Sequence, residues 1–110
     1  MQVHELNTSN ETPAYAATVD LPFASDAAKT NVYYSPTGAT TFTANVKRPL
    51  KSDRLVMDFK ADGSARTMTF STGFSGLSAT TIVVGANKSA TISFQFDGAN
   101  WVETARTVGA

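Results

Sequence analysis

From Tyr15 onward, apolar and polar residues alternate along the chain with a period of two. Tyr15, Ala17, Val19 and Leu21 are separated by Ala16, Thr18 and Asp20. That spacing turns one side of an extended strand towards a core. The pattern recurs in NVYY (31–34), in TTFTANV (40–46) and in DRLVMDFK (53–60), where Leu55, Met57 and Phe59 share a face. ARTMTFS (65–71) sets Met68 and Phe70 on one side, and TTIVV (80–84) follows a Gly-rich bend. The clearest case is SATISFQF (89–96), with Ala90, Ile92, Phe94 and Phe96 alternating with Ser89, Thr91, Ser93 and Gln95 before NWVETART (100–107). Between these segments lie turn signals: Ser-Pro-Thr-Gly at 35–38, Asp62-Gly63, Gly-Ala-Asn at 85–87 and Asp97-Gly98. No segment has a helical period.

Seven to eight short strands separated by turns predict an all-β domain, an antiparallel β-sandwich of jelly-roll-like topology. In it DRLVMDFK and ARTMTFS form a hairpin across Asp62-Gly63, and Asp97-Gly98 reverses the chain in the closing hairpin. The expected core is Leu55, Met57, Phe59, Met68, Phe70, Ile92, Phe94, Phe96 and Trp101. Residues 1–14 are polar and aperiodic and read as an N-terminal arm ahead of a β-sandwich domain over 15–110. No internal repeat of fixed period is visible.

Composition agrees with strands. Ser and Thr supply roughly a quarter of the 110 residues, well above ordinary usage, and Leu and Glu are scarce. The net charge is zero and only 16% of residues are charged, so neither nucleic acid nor an anionic membrane is an expected partner. Cysteine is absent, which removes disulfides and thiolate chemistry. No apolar run approaches the ~20 residues of a membrane-spanning helix, and the N-terminus lacks the pattern of a secretory signal.

Candidate chemistry is sparse. His4, the single histidine, sits in the arm, where no scaffold holds it for a triad or a metal site. Asp62 and Asp97 precede glycines and read as turn residues. Asp58 should face away from Leu55, Met57 and Phe59. Glu103 shares the parity of Trp101 and so falls on the apolar side, either at a rim or paired with a base such as Arg106; a catalytic role for it is the weakest reading. Nothing matches a calcium loop, and neither metal nor cofactor is expected. The basic stretch KRPLKSDR, with Lys47, Arg48, Lys51 and Arg54, reads as an exposed loop able to contact an acidic protein surface. Tyr33 and Tyr34 are adjacent, so one points outward, to a sugar site or, as preferred here, to a protein interface.

The run NVYYSPTGATTFTANV, then LVMDFKADGSARTMTFSTGF, ending in KSATISFQFDGANWVETAR, resembles a module common in tailed-bacteriophage virion proteins. Phe94, Phe96, Asp97, Gly98, Asn100 and Trp101 match its closing Phe-x-(Tyr/Phe)-Asp-Gly-x-x-Trp hairpin. The resemblance covers about residues 15–107. It implies a non-enzymatic structural protein, made in the host bacterial cytoplasm and placed on the virion. A single domain beginning at Met1 is most similar to head decoration (cement or staple) proteins, which bind the outer surface of the major capsid protein as dimers or trimers. The alternative is a tail-fibre or appendage module binding a host-surface receptor or glycan. Under either, the expected partner interface comprises His4, Glu5 and Leu6 of the arm with Tyr33, Tyr34, Lys47, Arg48, Lys51 and Arg54.

Overall fold

The computed structural model describes residues 8–21, 28–44, 46–47 and 49–109. They form ten strands and, among the described residues, no helix: β1 (Thr8–Glu11), β2 (Thr18–Leu21), β3 (Lys29–Tyr34), β4 (Thr40–Ala44), β5 (Arg54–Lys60), β6 (Arg66–Phe70), β7 (Phe74–Ser75), β8 (Thr81–Val84), β9 (Ser89–Phe96) and β10 (Trp101–Val108). A six-stranded sheet has the order β1-β3-β5-β9-β10-β7, and a four-stranded sheet has the order β2-β4-β6-β8.

The all-β expectation holds, but the antiparallel jelly-roll sandwich is wrong. From β1 to β9 consecutive strands lie in opposite sheets, so β1–β2, β3–β4 and β5–β6 each make one coil of a β-solenoid. The neighbour of a strand within its sheet is the equivalent strand one coil away, running in the same direction. Thr8, Lys29 and Arg54 stand in register across β1, β3 and β5, and Thr18 and Thr41 across β2 and β4. Parallel strands need a crossover connection, and here the opposite sheet supplies it. Only the last part of the chain departs from this winding: β8 runs antiparallel to β6, and β9 antiparallel to both β5 and β10.

The error has a definite origin. Period two says which residues face inward but not which strand lies alongside, and the Ala61-Asp62-Gly63-Ser64 turn carries the same sequence signal as a tight hairpin. Instead it is an arch that carries β5 of one sheet into β6 of the other. Gly63 does not take the left-handed conformation there, whereas Gly98 does, at φ 100°, in the one true Asp-Gly hairpin between β9 and β10. Polar β1, expected within the arm, pairs with β3 at the edge of the larger sheet.

Inward-facing residues from both sheets make one core. Leu55, Met57, Phe59, Met68, Phe70, Ile92, Phe94, Phe96 and Trp101 are all buried, together with Val32, Tyr34, Phe42, Ile82 and Val84. Aromatic rings link the sheets: Phe42 meets Phe59 at 5.6 Å between centroids, and Phe70 meets Phe94 edge-on at 5.5 Å. Tyr34, the inward member of the tyrosine pair, shares a 2.8 Å hydrogen bond with Thr40 Oγ1, so its buried hydroxyl is satisfied.

Between β6 and β7, Gly73 carries a tight contact. Its φ is 97°, and an added methyl group would run into the carbonyl of Ala44. Gly73→Ala is therefore expected to destabilise the protein by about 1–3 kcal/mol, read as a lower thermal midpoint. Gly63→Ala, with nothing near the missing side chain, is the near-neutral comparison.

Candidate functional site

The outer face of the six-stranded sheet carries the groups able to meet a partner. Because β3 and β5 are parallel and in register, their outward residues fall in rows. At one end Lys29 stands beside Arg54, which lies opposite Gln95 of β9. The next row joins Asn10, Asn31, Val56 and Ser93. Within it Asn31 Nδ2 donates to Asn10 Oδ1 at 3.1 Å, an amide contact between successive coils. The last row is Tyr33, Asp58 and Thr91, where the Thr91 hydroxyl donates to Asp58 Oδ1 at 2.7 Å. Parallel sheets are ordinarily covered on both faces; this outer face is polar instead.

Three shallow grooves follow these rows. One of about 330 Å³ is lined by Lys29, Arg54, Val56, Ser93, Gln95 and Thr104 among others. A second, of about 380 Å³, shares Gln95 and Thr104 with it and continues to Lys51 and Asp97. The third, of about 230 Å³, lies at the opposite end under Tyr33, Asp58 and Thr91. Thr104 borders the first two beside a β-bulge: the register of β10 against β9 jumps between Glu103 and Ala105, leaving Thr104 without an opposite residue and turning Ala105 outward next to it. A bulge of this kind re-aims a side chain and is often found next to a functional surface.

The electrostatics are divided. Lys29 and Arg54 are exposed and have no ion-pair partner among the described residues. The carboxylates of Asp62, Asp97 and Glu103 already have structural partners. Asp62 receives two hydrogen bonds from Arg66, at 2.7 Å each, which hold its carboxyl below the ordinary carboxylate range. Asp97 is lowered by the backbone N–H groups of Asn100 and Ala99 in its own turn, with Lys51 adding attraction. Glu103 is held low chiefly by Arg106, against the opposing cost of its burial, and also accepts bonds from the Ser78 backbone N–H and hydroxyl.

The structure thus separates the expected interface residues. Tyr33 is 46% exposed, whereas Tyr34 belongs to the core. Arg54 lies on the sheet face beside Lys29, with Lys51 bordering the adjacent groove. Lys47 is exposed away from these grooves. His4, Glu5, Leu6 and Arg48 lie outside the described residues. Asp62-Gly63 and Asp97-Gly98 stand at an arch and a hairpin respectively. Lys29, Asn31, Ser93, Gln95 and Thr104 were not singled out from the sequence. Their alternation with core residues marks them as outward-facing, but only the parallel register puts Lys29 next to Arg54.

Among the described residues no group of three or more His, Cys, Asp or Glu side chains could hold a metal ion. No protein-family model matches the chain, and no curated protein is detectably similar to it in sequence.

Proposed function

We propose that the protein is a non-enzymatic structural component of a phage virion that decorates and stabilises the capsid, with the outer face of its six-stranded sheet laid against the outer surface of the major capsid protein. The observation that carries this reading is the character of that face. Hydroxyl, amide and cationic groups are spread over neighbouring rows, and Asp58, Asp62, Asp97 and Glu103 are each engaged by partners within the fold. A broad polar surface suits adhesion to another protein, where contacts are distributed and wet at the rim. Placed on the virion after synthesis in the host cytoplasm, the chain would act as a homo-oligomer. Dimers or trimers bridging several capsid subunits gain avidity from effective concentration even when each contact is weak.

The test is co-sedimentation of the purified chain with intact heads that lack it. Binding in near-stoichiometric amounts, with heads that then resist heating better, is the expected outcome. A chain left entirely in the supernatant would refute the proposal. One observation favours a second reading, an appendage module that binds a host-surface glycan. Tyr33 stands exposed beside Asp58 over the smallest groove, and flat aromatic faces can stack on sugar rings. Glycan-array binding that disappears in Tyr33→Ala, without affinity for heads, would establish that alternative.

A further inference from the structure

The Lys29–Arg54 end of the sheet face has a narrower chemistry than the rest. We infer that the groove between β3, β5, β9 and β10 is an acceptor for a carboxylate side chain of an acidic protein segment, clamped by Lys29 and Arg54 and hydrogen-bonded by Ser93, Gln95 and Thr104. This rests on the proposed binding face and names the partner chemistry it takes.

Three features converge. First, Lys29 and Arg54 are paired across adjacent parallel strands, whose spacing is about 4.8 Å. Two cations that close suit a single carboxylate, and an arginine fork can hold it through two parallel bonds. Second, the two repel each other and have no ion-pair partner among the described residues. Asp53, next in sequence to Arg54, is buried on the other side of the strand and accepts the Leu50 N–H at 2.8 Å. Glu103 is taken by Arg106, and Asp97 lies by Lys51 in the neighbouring groove. Third, Thr104 stands in the groove wall with no residue opposite it at the bulge, and with Ser93 and Gln95 it adds donors around Val56.

The same features disfavour other ligands. A sugar ring would want an exposed aromatic face, but the aromatic residues nearest this groove, Phe94, Phe96 and Trp101, are at most 2% exposed. Tyr33 is at the far end of the face, two rows away. Nucleic acid would need a longer run of cations than two on a chain of zero net charge. A flexible Asp or Glu side chain needs neither.

The full chain, labelled with nitrogen-15, is titrated with a hexaglutamate peptide and, separately, with hyaluronate oligosaccharides. Hexaglutamate is expected to shift the backbone amide signals of Ser93, Gln95, Thr104 and Ala105. Lys29→Gln or Arg54→Gln should each weaken that binding about tenfold, with an unchanged thermal midpoint because both side chains are exposed. Shifts mapping elsewhere, shifts retained in both variants, or a response to hyaluronate alone would overturn the inference. Head co-sedimentation with the same variants separates the two levels. Heads bound equally by wild type and variants would refute the groove and leave the capsid reading standing. Hexaglutamate binding by a chain that ignores heads would do the reverse.

Discussion

Replacing Trp101 by alanine is expected to lower stability by about 3–5 kcal/mol, a large part of the 5–15 kcal/mol typical of a whole domain. The ring is 1% exposed and packs 5.2 Å from Phe96, centroid to centroid. Its position magnifies the loss. Trp101 opens β10 and stands in register with Phe96 of β9 on one side and Phe74 of β7 on the other, and its backbone N–H donates to Gly73 O at 2.8 Å. The side chain therefore fills space where an antiparallel hairpin and a parallel two-residue strand meet, next to the tight Gly73 turn. Collapse around the missing ring would have to move that turn, so a cavity remains. Urea unfolding checks this: the midpoint should fall while the slope stays that of wild type. Trp101→Phe, which keeps an aromatic ring at the site, should recover much of the difference. An unchanged midpoint in Trp101→Ala would mean the ring is not part of the core.

The same tryptophan shows how much of this molecule its sequence discloses. The inward set was legible because alternation is a local property. Phe94, Phe96 and Trp101 keep their parity across the Asp97-Gly98 turn, and a single hairpin satisfies all three. Strand partners were not legible, since Leu55 facing inward is equally compatible with a parallel neighbour at Thr30 and an antiparallel one at Met68. It has the former. Nor did the coils advertise themselves as repeats, because their connections differ in length and their polar residues differ in kind. Asn10 and Asn31 match across one pair of coils, but Val56 takes the next rung. The candidate groove inherits this limit. Arg54 stood out within a basic stretch, yet its partner Lys29 lies far away in sequence, and Ala105 joins the groove wall beside Thr104 only through a bulge that alternation does not foresee. Up to Glu103 β10 keeps the parity of Trp101, so the carboxylate points to the apolar side, where the sequence places a misfit, and the extra residue of the bulge brings Arg106 to that same side as its partner.

That misfit predicts the second large effect. Glu103→Gln is expected to cost about 2–3 kcal/mol at neutral pH, and the cost should shrink in acid. Glu103 is 8% exposed in its side chain and Arg106 17%, and Arg106 bonds it from Nε at 2.9 Å and from Nη2 at 2.6 Å. The guanidinium also donates to Ala79 O at 2.8 Å and Thr81 O at 3.1 Å. It thereby ties β10 of one sheet to the start of β8 in the other, closing the solenoid at its antiparallel end. A neutral amide cannot match the charge-assisted bonds, and it leaves Arg106 partly buried without its counter-charge. Arg106, the Ser78 N–H and the Ser78 hydroxyl all favour the ionised carboxyl, so the folded state holds it below its ordinary value of 4.5. The unfolded chain consequently binds the proton more readily than the folded one. The stabilisation is present in full above about pH 4.5 and is lost as pH falls through the depressed folded value. Asp62 and Asp97 are lowered too and share the acid limb of wild type, but they remain in Glu103→Gln, so the gap between the two proteins isolates Glu103. Urea unfolding at pH 7 and pH 3 should show that gap narrowing with acid. A gap of equal size at both would mean that the site needs the shape of Glu103 and not its charge.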